Sequence, residues 1–255
     1  MQIKSVRCAT AVASATVLMA LAGCGGPESG GGAKNGVSGV PGAAARASGV
    51  PRPWPAVSVG DATALPGVGE RLHAAIPADS GQVLAVYGEG GDSADATAVL
   101  YSLRGDGWHP VGSWPAHNGR NGWTTDHYAG DGRSPVGVFT VTDAGGVLPD
   151  PGTRLSYTHD ETAYAPPSYW SPAYRHDFDY VIAIDYNRLR GAPPHDVTRP
   201  WGAERGGKIW LHLDHGSGTS ACIGLSEEAM RFLLRTLDPH RDPVVVMGDR
   251  TDLLA

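Results

Sequence analysis

The sequence predicts a mainly β, turn-rich domain, on three observations. Short apolar runs recur between turn clusters along most of the chain. The 255 residues include 36 glycines and 20 prolines but 3 phenylalanines, a composition of tight turns rather than long helices. One stretch, following Cys222, keeps clear helical spacing. With 41% hydrophobic residues, a chain of this length can bury one sizeable core and carry extra segments.

The extreme N-terminus reads as an export signal over residues 1–23. Lys4 and Arg7 form a positive region, and residues 9–21 are small and apolar, too short a run to stay in a bilayer as a spanning helix. The run ends in Leu21-Ala22-Gly23-Cys24, which resembles a bacterial lipobox, so Cys24 is the expected lipidation site. Residues 24–62, rich in Gly, Ser, Ala and Pro, read as a flexible tether. The folded domain is expected over 63–255. The protein is thus expected outside the cytoplasm, anchored by lipid to the outer face of the membrane. Signal removal takes Cys8 and lipid occupies Cys24, leaving Cys222 in a compartment where structural cysteines come in pairs.

Val68, Leu72 and Ile76 sit at helical spacing. Two strands over 82–87 and 98–103 flank a turn cluster as a long-tipped hairpin, and Trp108, Val111 and Trp114 are expected to start the next strand, with the two aromatics as core. Residues 138–141 form a short strand. The Tyr- and Trp-rich segment 155–178, with Tyr157, Tyr164, Tyr169, Trp170 and Tyr174, either lines or covers a cleft or plugs the sheet. Residues 180–186 are expected as a central strand and 243–247 as the last one. Between them Ser226 caps a helix whose Met230, Leu233, Leu234 and Leu237 share a face, ended by Asp238-Pro239.

Residues 208–225 concentrate the chemistry. Ile209, Leu211 and Leu213 alternate with Trp210, His212 and Asp214, so a strand puts the aliphatics on one face and His212 on the other. Gly216 and Gly218 turn the chain, returning Cys222 towards His212. A neutral imidazole can take a thiol proton and hold the thiolate for attack on a carbonyl carbon. The blander readings are an inert buried cysteine and a structural histidine. Zinc on His212, His215 and Cys222 lacks the fourth ligand and the paired-cysteine spacing of such sites, so no metal and no cofactor is expected. A net charge of -6 without a basic run excludes nucleic acid as an expected partner, and the glycine-rich 130–137 is followed by a strand and no Gly-Lys, which argues against nucleotides.

Gly130-Asp131-Gly132-Arg133-Ser134-Pro135-Val136-Gly137-Val138-Phe139, the strand Ile209-Trp210-Leu211-His212, and Thr219-Ser220-Ala221-Cys222-Ile223 occur in that order. Together they resemble the catalytic domain of the L,D-transpeptidases over about 76–248. The resemblance implies a sandwich-like β fold with a short helix after the cysteine. It implies Cys222 as nucleophile, His212 as its base, with His215 as the alternative, and the amides of Ala221 and Cys222 as oxyanion hole. It implies peptidoglycan stem peptides as substrate and a thioester acyl-enzyme, acting as a monomer. The alternatives are an L,D-carboxypeptidase and an inactive peptidoglycan-binding envelope lipoprotein. The best-known members carry Ser-His-Gly-Cys, a hydrophobic residue and Arg, whereas here Ser220 and Ala221 precede Cys222 and Gly224 takes the place of that Arg, so the chain resembles more closely a divergent branch with Thr-x-Gly-Cys.

Overall fold

A computed structural model describes residues 63–255; the signal, lipobox and tether expectations lie outside the described residues. In chain order the elements are α1 (Glu70–Ala74), β1 (Gln82–Gly88), β2 (Asp95–Arg104), β3 (Gly107–His117), β4 (Trp123–Thr124), β5 (Ser134–Pro135), β6 (Gly137–Thr140), β7 (Asp143–Gly146) and β8 (Ser156–His159). They continue as β9 (Val181–Ala183), β10 (Trp210–Leu213), β11 (Ile223–Leu225), α2 (Glu227–Thr236), β12 (Val244–Asp249) and α3 (Arg250–Leu254).

Ten strands form one mixed sheet in the order β6-β12-β1-β2-β3-β11-β10-β9-β7-β8, while β4 and β5 pair separately. The sheet bends back on itself. Asp185, just past β9, donates its N–H to the Thr140 carbonyl at the end of β6, and the Thr140 hydroxyl donates to the Asp185 carboxylate at 2.6 Å. Between the layers lies the main core, where Leu84, Leu100, Leu211, Ile223 and Met247 meet Met230, Leu233 and Leu234 of α2. Each of these fully buried side chains contributes about 1.5–3 kcal/mol. The outer face of β1, with Val83, Ala85 and Tyr87, packs a second cluster against Leu65, Leu72 and Leu253.

The mainly β architecture is the expected one. Helix α2 starts where Ser226 accepts from the Ala229 N–H at 3.2 Å, and its apolar stripe is buried. The aromatics of β3 reach the core only at its edge. Trp108 and Trp114 are half-buried, Trp108 packed against the outer cluster and Trp114 against the main one, with its ring 5.2 Å from Phe232 of α2, while Val111 is exposed. Residues 180–186 supply three strand residues; Ile184 still donates its N–H to the Ile209 carbonyl beside β10, and Asp185 then turns away to close the seam.

That seam is locked by buried charge. The Arg188 guanidinium lies 3.0 Å from Asp143 and pairs with Asp185, while the Gly191 N–H donates to Asp143 at 2.9 Å. Removing one member of such a network strands the rest. Arg188→Ala should lower the unfolding free energy by about 3–5 kcal/mol in urea titration, and a loss under about 1 kcal/mol, the size of an exposed pair, would contradict the assignment.

Candidate active site

The site is set by how β11 pairs with β10. The two run parallel with Leu211 opposite Ile223 and His212 opposite Gly224. Alternation then turns Leu211 and Ile223 into the main core and puts Cys222 on the same face as Trp210 and His212. Gly224 leaves room for Asp214 in this register, since a Cβ there would stand 2.8 Å from Asp214 Oδ1 and would push that carboxylate aside. The loop between the strands turns at Gly216, whose φ is +83°.

Hydroxyls and amides hold that loop. The Thr219 hydroxyl donates to the Cys222 carbonyl at 2.7 Å, and the Ser134 hydroxyl donates to the Ala221 carbonyl at 2.7 Å. Ser134 in turn accepts from the Gly119 N–H, and Asn118 and Arg120 exchange backbone bonds with Thr219. Both carbonyls next to the sulfur are thereby tied inward. Ala221 is not among the residues with positive φ, so alanine sits there without backbone strain.

The His212 ring is buried, with Nδ1 2.8 Å from the Leu213 carbonyl. A carbonyl only accepts, so Nδ1 carries the proton and Nε2 holds the basic lone pair. Nε2 has no hydrogen-bond partner. Burial holds the imidazole below the ordinary histidine range, against the opposing pull of Asp177, so the ring is neutral at pH 7. The group that orients His212 is therefore main chain. Asp214 instead accepts from His117 Nδ1 at 2.9 Å, and that bond raises the His117 pKa.

Cys222 Sγ accepts from the Trp210 N–H at 3.4 Å and lies 3.4 Å from the Lys208 carbonyl. His215 belongs to a second dyad, with Nδ1 3.0 Å from the buried Asp177 carboxylate, an unpartnered Nε2, and its ring nearly parallel to that of His212 at 6.4 Å. Asp177 carried no signal in the sequence, because its partner is 38 residues away and reached only through the fold.

The aromatic segment before β9 covers this face. Phe178 packs edge-on against Trp210 at 5.3 Å and His212 at 5.5 Å, and Tyr164 lies 6.0 Å from Trp210. Cys222 and His212 are both 0% exposed. Of the segment's aromatics, Tyr164 and Phe178 lie buried in this cover, while Tyr169 is 82% exposed and takes no part.

The family model of the YkuD L,D-transpeptidase catalytic domain matches residues 93–246, more than half of the chain. The chain belongs to that family. The match contains both strands of the site, the Ser134 tie and the cover, so the L,D-transpeptidase domain holds every residue placed above. No curated protein matches the sequence. Among solved structures the chain is similar to Bdellovibrio bacteriovorus Bd1075, at 14% identity and a TM-score of 0.37, over 66% of this chain and 47% of that one. The chain thus spans about half of that structure's length, and the likeness says nothing about residue roles.

A histidine held neutral by burial makes stability pH-dependent. Below pH 6.5 the unfolded chain binds a proton that folded His212 refuses, so stability is complete above about pH 6.5 and falls as the pH drops below it. Urea unfolding between pH 7 and 5 should show this slope, and His212→Gln should flatten it; equal slopes would contradict a neutral buried His212.

Proposed function

We propose that this L,D-transpeptidase domain transfers acyl groups between peptidoglycan stem peptides through a thioester on Cys222. One observation carries the reading: His212, fixed in the tautomer that leaves Nε2 basic, shares a sheet face with Cys222 one strand away. His212 Nε2 takes the thiol proton, and the thiolate attacks the carbonyl between the third residue of a stem and the following D-Ala. Amides of Ala221 and Cys222 receive the oxyanion, each such donor contributing about 3 kcal/mol. His212 returns the proton to the departing D-Ala amine. An acceptor amine then gives its proton to His212 and attacks the thioester carbonyl, the C–S bond breaks, the amide cross-link forms, and the expelled Cys222 thiolate takes the proton back from His212; water in place of the amine makes the protein a carboxypeptidase.

Two rearrangements are needed. Cys222 must turn its sulfur from the Trp210 amide towards Nε2, a side-chain rotation that needs no substrate. Phe178 must also move, because both reacting groups are shielded. That shielding favours one rival reading, an inactive domain that binds the wall. Lipid on Cys24 and the 24–62 tether, expected from the sequence, would hold either form at the outer membrane face within reach of the polymer.

Reduced wild-type protein incubated with a tetrapeptide stem should release D-Ala and gain the mass of the acyl group. Cys222→Ala should do neither, and His212→Ala should slow release about 100-fold or more. Near-normal release by Cys222→Ala, or no adduct on wild type, would end the catalytic reading; unchanged release in His212→Ala with loss in His215→Ala would move the base to His215. In a separate test, Phe178→Ala should speed labelling of Cys222 by a thiol reagent, and an unchanged rate would show that the cover is not what limits access.

A further inference from the structure

A second concave site lies on the seam between β6 and the end of β9, with a cavity of about 440 Å³, within the range of small-ligand clefts. Its floor is aromatic. Tyr186 stands edge-on to His127 at 5.3 Å, to Phe139 at 5.8 Å and to Trp201 at 5.3 Å. Trp201 is 57% exposed, an open indole held from behind by Tyr186. Asp126 and Arg205 form the polar wall and pair with each other.

The loop carrying Trp201 and Arg205 is built rather than loose. Asn187, 1% exposed and at a φ of +44°, accepts from the Trp201 N–H at 2.8 Å. Its amide donates to the Gly202 and Gly206 carbonyls at 3.0 and 2.7 Å. A non-glycine residue in the left-handed region persists where its surroundings hold it there, and such positions gather at ligand sites. Arg205 also lies over the Tyr128 ring at 4.4 Å, which fixes its guanidinium at the rim.

We propose that this cleft binds the neutral sugar chain of the wall polymer, whose stem peptides Cys222 is proposed to process. Three features select that occupant. Asp126 and Arg205 cancel in charge, so the wall suits neither an anion nor a cation, yet offers both an acceptor and donors for hydroxyl and amide groups. The exposed Trp201 face suits the apolar face of a pyranose ring. The cleft also adjoins the cysteine loop, since Pro135 lines it and the preceding Ser134 bonds the Ala221 carbonyl. A glycan there would present its attached stem close to the nucleophile.

The test is titration of the soluble tetramer of N-acetylglucosamine into the mature protein, followed by tryptophan fluorescence and calorimetry. Saturable binding should weaken about tenfold or more in Trp201→Ala, keep most of its strength in Trp201→Tyr, and be unaltered in Cys222→Ala. Release of D-Ala from a sugar-free tetrapeptide should be equal in wild type and Trp201→Ala. No saturable binding, equal binding by Trp201→Ala, or loss of sugar-free peptide turnover in that variant would overturn the assignment. Sugar binding that depends on Trp201 in a protein with no acyl transfer would support the cleft while ending the catalytic reading.

Discussion

The parallel pairing of β10 with β11 is the constraint on which the site depends. With Leu211 opposite Ile223, Cys222 falls on the face that also carries Trp210 and His212. A slip of one residue would send the sulfur into the main core and Ile223 out of it. The register is protected twice. Leu211 and Ile223 are both fully buried, and Gly224 admits Asp214 where a side chain would collide.

Around that pairing, polar groups are arranged to fix geometry. Ser134 and Thr219 hold the carbonyls before and at the sulfur, Leu213 fixes the His212 tautomer, and Asp177 fixes His215. None of these leaves a net charge beside Cys222 except through Asp177, which the fold sets against His215. The low polarity under Phe178 keeps His212 neutral and ready to accept a proton, and the same cover closes the site. Chemistry and access thus act on one segment, the aromatic stretch before β9.

Much of this was legible in the sequence where one local rule dominates. Alternation from Ile209 to Leu213 was readable because both faces of that strand are specified, one by aliphatics and one by Trp210 and His212. Helix α2 was readable from a cap, a stripe and a stop. The parts that were not legible come from contacts between distant segments. Asp177 and Asn187 look like ordinary loop residues until the fold brings them to His215 and to the Trp201 loop. The partner of Asp214 is likewise invisible in the sequence, since it is His117, 97 residues away. Trp108 and Trp114 do pack against the core, but at its margin, so size alone overstates how far they are buried.

The central claim is that His212 controls the ionisation of Cys222, and the pH dependence of Cys222 alkylation by iodoacetamide tests it most directly. In reduced wild-type protein the account predicts alkylation that persists well below pH 8.5, the ordinary cysteine value, and that shifts to higher pH in His212→Gln. Superimposable pH profiles for the two proteins would contradict it.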